Sequence, residues 1–315
     1  MLSRIAESLY WVGRYVERAE DTARILDVHV HRTLEDPAVE EDAACRGLLA
    51  VMGCKAPEGA LDSADLLGIL AFDSASTTSI AGSLVAAREN ARSARDSISS
   101  EMWECLNATY NALPGVVARA SGGSPHAFFS YVKERAAILA GLADSTMSRD
   151  DGWLFLILGR SLERVDMTAR LLSASFGDGS GQAELVTTLR CCSAHEAFLR
   201  TYRRRVEPDL VAEFLLLDRL FPRSAFHALD QAERCLAELD PGAGRAGLDD
   251  EARRILGRAR TDLEFRRVQE LVADLPGHLA SLQTCCSTAG DALARRFFRQ
   301  SAPQAWNLEV AGGRQ

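Results

Sequence analysis

Residues 9–26 read LYWVGRYVERAEDTARIL and residues 155–172 read FLILGRSLERVDMTARLL, in register at a constant offset of 146 residues. Gly13, Arg14, Glu17, Arg18, Thr22, Ala23 and Arg24 of the first stretch match Gly159, Arg160, Glu163, Arg164, Thr168, Ala169 and Arg170 of the second. At about 100° per residue, Leu9, Val12, Val16, Ala19, Ala23 and Leu26 fall in one apolar stripe, and Phe155, Leu158, Leu162, Val165, Ala169 and Leu172 form the same stripe in the second copy. Both stretches are therefore read as amphipathic helices facing a core. Arg14, Glu17, Arg18 and Asp21 share the opposite side, as do Arg160, Glu163 and Arg164, because residues three and four apart are neighbours on a helix surface. Gly13 and Gly159 each cost a helix interior about 0.5–1 kcal/mol relative to alanine, so each implies a close neighbour.

Working outward, the same period of three and four recurs along the chain, and strand-like alternation is nearly absent. The expected fold is all-α: about ten helices packed as a multi-helix bundle, with an internally duplicated half related by pseudo-two-fold symmetry. One domain over residues 1–300 is expected, with halves of about 1–147 and 148–300 and a flexible tail over 301–315. Breaks are expected at Glu35–Asp42, Cys54–Ser63, Leu113–Pro125, Ser148–Gly152, Gly177–Gly181 and Asp240–Asp250. Pro125, Pro208 and Pro222 suit first helical turns, Asp150 and Ser224 suit N-caps, and Gly177 suits a C-cap. From Ile80 through Leu84, Ala87, Ala91, Ala94, Ile98 and Met102 to Cys105 the helical spacing continues, placing Arg88, Arg92 and Arg95 on one side.

With 315 residues, 47% hydrophobic and 25% charged, the chain can bury a core without disulfides or metals. Its net charge of −8 disfavours general binding of nucleic acid or anionic lipid. The basic residues are almost all arginine, lysine occurring only at Lys55 and Lys133, and arginine's planar fork suits carboxylate and phosphate. No run is long enough to cross a bilayer, and Met1–Ser8 has no apolar signal region, so a cytoplasmic location is expected. The eight cysteines lack a C-x-x-C pair and are read as reduced. No metal site is expected, since only His29 and His31 come near ligand spacing. Cys192 beside His195 lacks a third orienting group, and the glycine loops and zinc or serine-hydrolase motifs of common enzymes are absent.

Three readings of the polar rows remain open. Exposed Arg–Glu pairs are worth roughly 0–1 kcal/mol. Alternatively the helices cross with Glu17 and Glu163 held inside by arginines, or the rows line a cleft that grips an anion. Stacked Arg88, Arg92 and Arg95 repel one another unless anions such as Glu17, Glu163 or a ligand lie between them. Arg223 and Ser224 place donors at a helix start, where anions are favoured, although capping alone accounts for Ser224.

Taken together, Tyr10-Trp11-x-Gly13-Arg14-x-x-Glu17-Arg18, Ala87–Asp96 with Met102-Trp103-Glu104 and Asn107, Gly159-Arg160-x-x-Glu163-Arg164, and Phe221-Pro222-Arg223-Ser224 resemble the bacterial alpha-E family, a helical domain with an E-R motif. The resemblance covers about Met1 to Phe298. It implies a genetic context beside circularly permuted ATP-grasp amide ligases, or fusion to them, often with transglutaminase-like proteins, in a system that makes or attaches small peptides. On that basis the chain is expected to be a helical binding partner of such a ligase, with ATP used by the ligase and no cofactor bound by the chain itself. Arg14, Arg18, Arg88, Arg92, Arg95, Arg160, Arg164 and Arg223 are the anion-binding candidates for a small carboxylate- or phosphate-bearing ligand, with Gly13, Gly159, Asn90, Trp103, Asn107 and Ser224 in support. The alternatives are an amide-forming or transferring enzyme with Glu17 or Glu163 as general base, and a purely structural scaffold. Asp21 against Met167 and Trp11 against Ile157 mark divergence of the copies, so one E-R helix alone is a candidate to face the ligand.

Overall fold

A computed structural model describes residues 3–35, 40–176, 181–242 and 247–298. Among these residues the chain forms fourteen α-helices and no strand. The first half holds α1 (Ser3–Glu35), α2 (Glu41–Val51), α3 (Ser63–Leu67), a π-helical turn over Gly68–Phe72, α4 (Ile80–Ser93), a 3₁₀ turn over Arg95–Ser97, α5 (Ser100–Ser121) and α6 (Pro125–Thr146). The second holds α7 (Asp151–Ser175), α8 (Gln182–Cys191), α9 (His195–Tyr202), α10 (Pro208–Leu217), α11 (Ala225–Leu239), α12 (Glu251–Phe265), α13 (Val268–Ala273) and α14 (Leu275–Phe297).

Each half contains a ring of four long helices. α1 packs on α4, α4 on α5, α5 on α6 and α6 back on α1, while α7, α11, α12 and α14 close the second ring in the same order. α1 and α7, which carry the repeated sequence, pack on each other and join the rings. At 33 residues α1 is about 50 Å long. Both apolar stripes are buried as their spacing requires, Val16 alone being half-buried. One core surrounds α7 and the packing between the rings, and a second fills the first ring with Leu26, Leu70, Ile80, Phe128, Phe129 and Val132.

Local signals set most boundaries. Pro125 and Pro208 each begin a helix, and Asp150 caps α7 by accepting from the backbone N–H of Gly152 and Trp153 at 2.9 and 3.4 Å. Three boundaries differ from expectation. α5 runs on through Pro114 to Ser121, because a proline removes one backbone donor while Leu113 and Ala120 still find buried places. The spacing from Ile80 to Cys105 hides a turn: α4 stops at Ser93, and Ser99 caps α5 by accepting from Met102 N at 3.1 Å. Ala94 and Ile98 remain buried within that turn, which is why the period runs across it. Pro222 lies in the loop before α11 rather than in its first turn. The Gly177 cap and the tail over 301–315 lie outside the described residues. No described helix is long and apolar enough to cross a membrane.

Candidate functional site

Helices α1 and α7 cross where their glycines meet. A Cβ on Gly13 would lie 2.1 Å from the Leu156 carbonyl oxygen, and one on Gly159 would lie 2.0 Å from that of Tyr10. Both contacts are with backbone and cannot swing aside, so only glycine admits this approach. Leu156 stands in the second copy where Tyr10 stands in the first, so the contact is reciprocal.

That closeness turns the polar rows onto each other. Arg18 forks onto Glu163, its Nε donating to Oε1 at 2.6 Å and its Nη2 to Oε2 at 3.1 Å. Arg164 forks onto Glu17 with the same atoms, at 2.5 and 3.1 Å. Each carboxylate takes a second guanidinium: Arg14 Nε donates to Glu163 Oε2 at 2.5 Å, and Arg223 Nη1 lies 2.9 Å from Glu17 Oε1. Glu17 and Glu163 are each 2% exposed. Of the three readings left open by the sequence, the geometry matches the crossed helices with internal ion pairs.

The second guanidiniums come from different places. Arg14 belongs to the repeat, and its counterpart by sequence is Arg160. Arg223, from the loop before α11, occupies that position at Glu17, and it also reaches Glu20 at 2.8 Å and the Asp21 carboxylate. Arg160 consequently has no ion pair or hydrogen bond among the described residues, although it is half-buried. It lines a cavity of about 40 Å³ with Val12, Gly13, Glu17, Glu20 and Arg164. Burial, then the neighbouring Arg164 charge, depress its pKa.

Aromatic rings serve the first copy only. Arg14 donates to Tyr10 Oη at 3.1 Å and lies 5.8 Å from the Trp11 ring centre, while Arg18 lies 5.5 Å from that of Tyr15. Leu156, Ile157 and Ser161 stand at those places in the second copy.

The loops before α4 and α11 also match, a correspondence not visible as a motif. Ser79 caps α4 and donates to the Asp73 carbonyl, and Ser224 caps α11 and donates to the Asp218 carbonyl, 145 residues later. Arg18 Nη1 donates to Thr77 O at 3.2 Å and Arg164 Nη1 to Pro222 O at 3.5 Å, so each E-R arginine also holds the loop of its own half.

The electrostatics follow from this sharing. Burial alone would raise the Glu17 pKa, but the charges of Arg164 and Arg223 outweigh it and hold it at about 2. Glu163 is lowered in the same way, Arg14 and Arg18 overcoming burial. Asp21 goes the other way, up to about 7: burial dominates, and the Arg223 charge is divided with Glu17 and Glu20.

The other candidates lie apart from this network. Arg88 donates to Asn107 Oδ1 at 3.2 and 3.3 Å and to Glu89, and its guanidinium covers Trp103 and Tyr110. Arg92 pairs with Glu89 at 2.7 Å, and Arg95 covers Trp103 from the 3₁₀ turn. Asn90 donates to the Ala86 carbonyl at 2.9 Å. Mutual repulsion of the three arginines is thus met by Glu89 and two aromatic rings, not by Glu17 or Glu163. Ser224 is fully buried as a cap. The Cys192 thiol is buried and its pKa pushed up by that burial, which removes thiolate character. All the cysteines are free, as expected.

One grouping escaped sequence reading. Asp27, His31 and His126 place ligand-type atoms within 4.8 Å of one another, with His126 contributed by α6, 99 residues from Asp27. Rules for closely spaced ligands cannot detect such a set.

Residues 1–298 match the family model Alpha-E, described as a predicted alpha-helical domain with a conserved ER motif. The chain belongs to this family. An uncharacterized protein of Mycobacterium bovis and two of Mycobacterium tuberculosis are 27% identical to it over 323 residues, covering 92% of this chain. The chain spans 36% of the length of these relatives. No solved structure matches it.

Proposed function

We propose that this Alpha-E protein is a helical binding partner of an ATP-grasp amide ligase in a system that makes or attaches small peptides. In this reading the ligase uses the ATP, and Arg160 receives a carboxylate- or phosphate-bearing group of the shared intermediate. The observation that carries the ligand site is the unequal division of arginines: four share Glu17 and Glu163, two to each carboxylate, and the fifth, Arg160, makes no ion pair or hydrogen bond among the described residues and lines a cavity. A partly desolvated guanidinium with open donors is suited to bidentate carboxylate or phosphate. The ligase partnership rests on family resemblance, supported by the greater length of the mycobacterial relatives, which leaves room for further modules on the same chain.

A stand-alone amide-forming enzyme is less well supported. A general base works best with a pKa near the operating pH and within reach of its proton. Glu17, held at about 2 and buried under two guanidiniums, meets neither condition. The structural role of the E-R pairs is compatible with the partner reading, because the lock fixes the frame on which Arg160 is presented.

The test is reconstitution: the purified chain, a circularly permuted ATP-grasp ligase from the same genome, ATP and amino acids, with each protein omitted in turn. Amide product and ADP that require the ligase and rise on adding this chain support the proposal. Product formed by this chain without the ligase overturns it.

A further inference from the structure

On the C-terminal half of α1, Asp27 and His31 stand one turn apart and meet His126 at the start of α6. His126 Nδ1 lies 2.7 Å from Asp27 Oδ1, and His31 Nδ1 lies 3.5 Å from the same oxygen and 2.8 Å from the Asp27 carbonyl oxygen, a contact that an ion bound through that nitrogen would replace. Two donors bound tetrahedrally to zinc at about 2.0–2.1 Å are about 3.3 Å apart, a value between these separations. The imidazole rings are 84° apart with centres 5.2 Å from each other, an edge-on arrangement rather than a stack. The other Asp27 oxygen accepts from Lys133 Nζ at 2.6 Å, which fixes the carboxylate with Oδ1 turned to the rings. Asp27 is largely buried while both histidines are more than half exposed, so the ligand set is anchored below and open above.

We propose that Asp27, His31 and His126 form a binding site for a divalent first-row transition ion of the zinc type. Two imidazoles and one carboxylate make the donor set that such ions prefer over magnesium or calcium, which favour oxygen. Three protein ligands leave a coordination position free. Asp27, His31 and Lys133 also line a cleft of about 440 Å³ together with Arg24, Arg32, Arg190, Glu35 and Glu196, which gives a small ligand room beside the ion. The site is independent of the E-R network, and neither inference depends on the other.

Zinc alone is the probe. It is titrated calorimetrically into the full, reduced chain carrying Cys54→Ser, since Cys54 is the one cysteine that is not buried. One ion per chain is expected, and His31→Ala and His126→Ala should each weaken binding by about a hundredfold or more, beyond the loss that removal of an outer-shell partner brings. Both rings are exposed, so matched circular dichroism spectra and melting temperatures should show the variants folded. Cobalt substitution should give visible bands without thiolate charge transfer. Failure of the parent chain to take up zinc, uptake unaltered in the double histidine variant, or a thiolate band would each overturn the site.

Discussion

Arg14 of α1 reaches across the helix crossing to Glu163 of α7 at 2.5 Å, on the same carboxylate that Arg18 grips. Helix packing and ion pairing are thereby one event: the glycines allow the approach, and the approach lets charged side chains meet out of water. A buried pair adds little net stability, yet loss of one partner strands the other.

Glu163→Gln should therefore destabilise the protein by about 3–5 kcal/mol, because two guanidiniums lose their counter-charge in a desolvated place. Combining Glu163→Leu with Arg14→Met and Arg18→Met should recover much of that loss, since an apolar set of similar volume leaves no buried charge unpaired. Urea denaturation of the two variants checks this. Equal destabilisation of both would contradict ion pairing as the cause.

Gly13→Ala and Gly159→Ala should each cost about 1–3 kcal/mol or more, the usual range for overpacking, because the obstacle is backbone. Alanine's better helix propensity would favour the opposite sign in an uncrowded helix. The sign of the change in midpoint therefore separates crowding from propensity.

The pH dependence of stability should fall on both sides of a maximum. Glu17 is depressed from its ordinary 4.5 to about 2, so its contribution is present above about 4.5 and lost as the pH falls toward 2. Asp21 is raised from 3.8 to about 7, so the stability from its bound proton is complete below 3.8 and lost as the pH rises through 7. Asp21→Asn should flatten the decline between about pH 4 and 7 and leave the acid limb in place. Denaturation midpoints across that range measure both limbs.

Much of this was legible beforehand, for physical reasons. The helix period gave α1 and α7, and the paired glycines implied a close neighbour, which the fold supplies as the Leu156 and Tyr10 backbone carbonyls. What spacing could not supply was which side of a polar row meets water: Glu17 and Glu163 have a surface-like pattern, but a second charged helix covers them. Arg88 and Arg95 went to local partners because the chain turns at Ala94–Ser99, where buried apolar residues keep the helical rhythm through a bend. The displacement of Arg160 by Arg223 depends on a contact between residues more than two hundred positions apart, as does the pairing of Arg223 with Glu20, and no local pattern reports it. Asp27 and His126 are a smaller case of the same problem.

The role of Arg160 is tested most directly by Arg160→Met, measured at once for stability and for amide formation in the reconstituted ligase reaction. Since Arg160 has no partner to strand, stability should stay within about 1 kcal/mol of the parent, unlike the loss expected at Glu163. Chain-dependent product formation should fall by about tenfold or more, the equivalent of about 1.4 kcal/mol of lost binding. Undiminished product from a folded Arg160→Met protein would contradict the account.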